Sequence, residues 1–144
     1  MPDQGVEPHG WLNGLQARTP PAIFVAWLLV AVWAGVIFAL SSTPHLRIAE
    51  AADLDFILRK SGHMAAFGIL AVLIWRALAF SAIRRAMAWS LVLTIAYAAS
   101  DEFHQSFTAG RNASPVDVSI DSAGALMALV ALAVWLHMRA RRAV

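Results

Sequence analysis

The chain has 144 residues, 60% of them hydrophobic and only 14% charged, with a mean hydropathy of +0.64 and a formal net charge of +2. Soluble domains carry about 45–50% apolar and about 25% charged residues, so this composition excludes a water-soluble globule and a disordered chain alike. The chain has no cysteine, which excludes a disulfide framework, a thiolate zinc site and a thiol nucleophile, and its basic residues are scattered between apolar blocks, which argues against nucleic acid as a partner.

Residues 1–19 read as a flexible tail. They contain Asp3, Glu7 and a single arginine, so they lack the basic region of a signal peptide. The first apolar block runs from Ala22 to Leu40 without a charge, behind Pro20 and Pro21, a residue type tolerated where helices start. A helix of that length spans roughly 30 Å, the thickness of a hydrocarbon core. The following loop, Ser41 to Leu58, mixes apolar and acidic residues, and Ile48, Ala52 and Phe56 suit a short interfacial helix.

Three more blocks follow: Met64 to Phe80 with Arg76 inside it, Ala86 to Ser100, and Val118 to Met138 just after Asp117 and containing Asp121. Each is short for a span unless polar residues at one end lie within the membrane boundary, where they are costly without partners. The expected fold is all-α: a polytopic bundle of four transmembrane helices over residues 20–144. Basic residues set the orientation. Arg18, Arg76, Arg84, Arg85, Arg139, Arg141 and Arg142 fall on one side, against Arg47, Arg59, Lys60 and Arg111 on the other, so both termini are predicted to be cytoplasmic.

The polar residues that are hard to explain collect at the opposite, outer ends of the helices. Lys60, His63 and Phe67 share a helical face. Lys60 is the only lysine among eleven basic residues, which suggests a need for a compact ammonium with a tunable pKa. Tyr97, Asp101 and Gln105 stack at four-residue spacing, with His104 beside them and Glu102 about a quarter-turn away. An ionisable group at that depth needs a partner; Lys60, His63 and Arg111 are the candidates for Asp101. Ser114, Pro115 and Asp117 read as N-cap, first helical position and capping-box acid. Asp121 lies one turn deeper on a face continued by the small residues Gly124 and Ala128, which favours close helix approach and needs Arg111 or His63 as donor.

Taken in order, these pieces resemble the VanZ-like family of small integral membrane proteins. They are Phe38-Ala39-Leu40-Ser41-Ser42-Thr43-Pro44, Arg59-Lys60-Ser61-Gly62-His63, Tyr97 with Ser100-Asp101-Glu102-Phe103-His104-Gln105, Gly110-Arg111, and Asp117 with Asp121-Ser122-Ala123-Gly124. Phe67 stands where that family often has tyrosine, so no polar role falls to it. The resemblance implies a multi-pass protein of the bacterial plasma membrane. The family is named for a member associated with low-level resistance to the glycopeptide teicoplanin.

Several functions fit these residues. In the first, the protein binds or modifies an anionic envelope component at the outer leaflet, a membrane lipid or lipid-linked cell-wall precursor: Lys60, His63 and Arg111 bind its phosphate or carboxylate, Asp101, Glu102 and Asp121 orient those cations, and Gln105, Asp117 and Asp121 also count as substrate-binding. In an enzymatic form of that reading, His63, Asp101 and Glu102 carry the proton transfers. A metal held by His63, Asp101 and His104 lacks a familiar ligand motif, so neither metal nor other cofactor is expected. Transport would require an oligomer, because four helices leave little room for a pathway. A structural membrane subunit, whose polar cluster only locks helix packing, is the remaining alternative.

Overall fold

A computed structural model of the protein describes residues 19–43, 50–108 and 114–142. The expected tail up to Arg18, Ile48 of the first loop, and Gly110 and Arg111 of the third lie outside these residues. The regular structure among the described residues is helical: α1 (Pro20–Ser41), α2 (Ala52–Phe80), α3 (Ala86–Gln105) and α4 (Pro115–Arg142). Three of them, α1, α2 and α4, are long and apolar enough to cross a membrane.

The second and fourth helices extend further toward the polar end than their apolar blocks. Helix α2 has 29 residues and already includes Ala52 and Phe56, so these belong to its first turns and not to a separate helix. Asp53 and Asp55 stand in that first turn, where carboxylates offset the positive end of the helix dipole. Helix α3 has 20 residues and differs in kind. Its buried side carries Ser90, Thr94, Ala98, Asp101, Glu102 and Gln105, while Trp89, Val92, Leu93 and Phe103 are exposed. Such a helix hides polar groups among its neighbours and turns apolar ones outward, as a lipid environment requires.

Helix α2 is central and packs against each of the others, most extensively against α4. These two run parallel, and their register is set by small residues. A Cβ on Gly68 would stand 3.2 Å from the Gly124 carbonyl, and a Cβ on Gly124 would overlap the Met64 carbonyl. Ala71, Ala125 and Leu129 continue the seam inward. Helix α1 buries little beyond Ala26, Ile37 and Ser41. It is tied on by hydrogen bonds instead: Trp33 Nε1 donates to the Ala66 carbonyl (2.9 Å), Tyr97 Oη to the Ala34 carbonyl (2.7 Å), and Trp27 Nε1 to Ser81 Oγ (3.2 Å).

The α2–α3 connection closes α2 with a Schellman motif. The Ile83 N–H reaches the Leu78 carbonyl (3.0 Å) and the Ala82 N–H the Ala79 carbonyl (3.1 Å), with Ala82 at φ 56°. Glycine is the usual residue there, since a Cβ makes the left-handed region costly. Ala82→Gly should therefore stabilise the fold by about 1 kcal/mol, read as a raised Tm in detergent.

Candidate functional site

The connectivity brings the end of α1, the start of α2, the end of α3 and the start of α4 to one end of the bundle. Every residue named from the sequence as a site candidate lies there, except Arg111, which is outside the described residues. They form two groups joined by Glu102.

The first group lies between α2 and α4. The Lys60 ammonium pairs with the Asp117 carboxylate. One turn inward, His63 Nδ1 lies 3.6 Å from Asp121 Oδ2. Asp121 is buried, whereas the Lys60 and His63 side chains stay partly open. The close contact of Gly124 with the Met64 backbone is what brings Asp121 to the histidine. On the same helix as His63, Arg59 Nε lies 2.9 Å from the buried Asp55 carboxylate.

The second group lies between α1 and α3. Asp101 is 3% exposed, and its Oδ2 accepts from Ser41 Oγ and from Gln105 Nε2, both at 2.8 Å. Its other oxygen, Oδ1, is buried without a hydrogen-bond partner among the described residues. His104 Nε2 is 3.0 Å from Ser42 Oγ, and its ring stacks on Phe38 with centroids 4.4 Å apart.

Glu102 connects the groups. Its Oε1 accepts from the Ser114 N–H at 2.6 Å, and Lys60, Asp117 and Asp121 are all within its electrostatic reach. The expected capping box of α4 is thus filled differently. Ser114 Oγ does accept from the Val116 N–H (3.2 Å), but the carboxylate on the Ser114 N–H belongs to Glu102, which frees Asp117 for Lys60. A carboxylate here also meets the positive end of the α4 dipole.

The expected pairing of Asp101 with Lys60 or His63 does not occur. Asp101 sits on the α3 face turned to the end of α1, whereas Lys60 and His63 sit on the α2 face turned to α4. Among the described residues Asp101 therefore draws on the neutral donors Ser41 and Gln105, and His63 lies against Asp121. For the same reason His63, Asp101 and His104 do not gather as a ligand set, and among the described residues no group of three His, Asp or Glu side chains could hold a metal ion. Sequence reasoning missed Ser41 and Asp55. Ser41 is the last residue of α1, fully buried against Asp101; its one signal was a hydroxyl closing an otherwise apolar span. Asp55 showed only the i, i+4 spacing to Arg59.

The geometry makes Asp101 a structural keystone for α1 and α3. Asp101→Ala would leave the Ser41 and Gln105 donors without this acceptor, at about 1–3 kcal/mol for each buried group, so its Tm in detergent should fall clearly below that of Asp101→Asn.

The order of these residues along the chain is matched by a family model. That of VanZ/LLP1 covers residues 23–136, most of the chain and all of the site. The chain belongs to the VanZ/LLP1 family. No curated protein and no solved structure gave a match. The polar end of this VanZ/LLP1 protein therefore has to be read from its own side chains.

Beside His63 the surface opens into a cleft of about 310 Å³ between α1 and α2. A second, larger groove of about 610 Å³ follows the α2–α4 seam. Charged side chains line only the first of these, where Arg59 and His63 stand at its outer end.

Proposed function

We propose that this VanZ/LLP1 protein binds an anionic, lipid-linked component of the cell envelope at the outer leaflet, with α3 as a fourth span and both termini cytoplasmic. Lys60 and His63 supply the donors to the anion, and Arg111 adds a further cation from the third loop. One observation carries this reading: among the described residues Lys60, Arg59 and His63 each lie against an acid, and their side chains stay partly open. The Lys60 ammonium has three protons and gives one to Asp117, and Arg59 and His63 both line the cleft. Asp117, Asp121 and Asp55 thus position cations, while Asp101 and Glu102 turn inward to Ser41, Gln105 and the Ser114 N–H. In a water-poor site each such hydrogen bond to phosphate or carboxylate is strengthened.

An enzymatic form of the reading assigns proton transfer to His63, oriented by Asp121, a buried carboxylate behind an imidazole being a common arrangement for general acid–base work. Asp101 and Glu102 then support the site from the α1–α3 side. The family's link to glycopeptide resistance fits an envelope component as ligand.

A second reading has its own support in the pairing of Lys60 with Asp117 and of His63 with Asp121 between α2 and α4. Under it the network only locks α2 to α4. Two experiments separate the readings. A reporter fused after Arg111 should give a non-cytoplasmic signal; a cytoplasmic one puts the cluster on the wrong leaflet. In phosphatidylcholine nanodiscs, farnesyl phosphate should bind the wild type, and Lys60→Ala should weaken it about tenfold while changing stability by about 1 kcal/mol, since the pair is partly open to its surroundings. Equal binding by both proteins would favour the lock. Lys60→Arg keeps the charge, so full binding by that variant would remove the argument for a compact ammonium.

A further inference from the structure

We propose that the cleft between α1 and α2 seats the hydrocarbon chain of a phosphate-headed lipid, its head at Arg59 and His63. This rests on the reading above and adds how the ligand's tail is recognised. Three observations point to it.

The first is shape. At about 310 Å³ the cleft has the size of a small-molecule site, and apart from its outer end its lining is apolar. It extends along α2 from Arg59 to Ile69, about 15 Å at the helical rise. That is about half of a hydrocarbon core, the depth of one leaflet. Its inner end lies at Trp33, whose indole N–H is fixed on the Ala66 carbonyl (2.9 Å).

The second is polarity. Arg59, His63 and Ser41 stand together at the outer end. A lipid phosphate meets cations there while its chain runs inward along Ile37 and Ile69. The α2–α4 groove is larger, yet it has no charged residue along it, and its floor is the Gly68–Gly124 contact.

The third is Gly62. It lines the cleft, and a Cβ built on it meets nothing within 4 Å. Among the described residues no packing neighbour requires glycine here. Its absent side chain leaves space beside His63 that a ligand chain would fill.

The test uses the full chain in phosphatidylcholine nanodiscs with two probes, farnesyl phosphate and the chainless methyl phosphate. The wild type should bind farnesyl phosphate at least tenfold more tightly. Gly62→Phe and, as a second filling of the cleft, Ala65→Phe should each cut farnesyl phosphate binding at least tenfold and leave methyl phosphate binding unchanged. Met127→Phe, in the other groove, should change neither. If the folded Gly62→Phe and Ala65→Phe proteins bind farnesyl phosphate as the wild type does, or if the two probes bind equally, the chain site is overturned while the phosphate site stands. Conversely, if both fillings abolish farnesyl phosphate binding but Arg59→Gln and His63→Gln leave it intact, the chain site is supported and the phosphate reading falls.

Discussion

Gly124→Val will destabilise the protein by about 3 kcal/mol, the upper end of what overpacking costs, because the new side chain meets backbone. Even a Cβ at this position overlaps the Met64 carbonyl, and a carbonyl inside α2 cannot swing aside as a side chain can. The two helices must separate, and the loss extends along the seam to Gly68, Ala71 and Ala125. Asp121 lies one turn from Gly124, so the same separation draws its carboxylate away from His63. Thermal unfolding in detergent measures the first effect. Gly35→Ala in α1 is the control with the opposite sign: its Cβ meets nothing within 4 Å, and replacing a mid-helix glycine there should add roughly 0.5–1 kcal/mol. If Gly124→Val melts like Gly35→Ala, the α2–α4 seam does not set the packing.

The second large effect concerns binding. His63→Gln combined with Asp121→Asn replaces the imidazole and carboxylate, 3.6 Å apart, by two amides of similar shape. Truncating one partner alone would strand a buried carboxylate, and breaking a buried pair in that way costs about 3–5 kcal/mol. The double replacement avoids this, so Tm should stay near that of the wild type. Farnesyl phosphate binding should nevertheless fall roughly tenfold to a hundredfold, the worth of one charge-assisted hydrogen bond lost at about 1.5–3 kcal/mol. Unchanged binding with a large fall in Tm would mean that the pair serves packing alone.

Much of this architecture was legible because membrane helices announce themselves by apolar length. Helix α1 followed directly from the uncharged run of Ala22–Leu40. The start of α2 was harder to read, because Asp53, Asp55, Arg59 and Lys60 break the apolar pattern that marks a span. Those charges are compatible with helix: Asp55 and Arg59 pair within it, and Lys60 is taken up by α4. Helix α3 is similar in kind, since its polar face is the buried one and lowers its overall hydropathy. The close approach at Gly124 could be foreseen from the small residues that follow Asp121 at helical spacing. Pairings across helices could not. Whether Asp101 meets Lys60 or Ser41 depends on the rotation of α3 about its axis, and that rotation is fixed by tertiary contacts such as Tyr97 with the Ala34 carbonyl and Ser90 with the Ala71 carbonyl. Glu102 capped α4 for the same reason: sequence spacing points to caps within a segment, and this one comes from the neighbouring helix.

The acid-rich character of the polar end follows from the same topology. Two helix N-termini, those of α2 and α4, meet there, and Asp53, Asp55, Asp117 and Glu102 offset their positive ends. The formal excess of acid at this end is thereby partly balanced by backbone dipoles. Among the described residues the side chains of Lys60, Arg59 and His63 stay partly open at this end.

The most direct test is to label the site with a farnesyl phosphate analogue that carries a diazirine on the carbon next to the phosphate. Irradiated with the wild-type protein in nanodiscs, it should form adducts on the segment from Leu58 to Ala66 and at Ser41, with labelling suppressed by excess farnesyl phosphate and not by farnesol. Adducts scattered over the exposed apolar faces of α1 and α4, or equal suppression by farnesol, would contradict a phosphate-reading site at this end of the bundle.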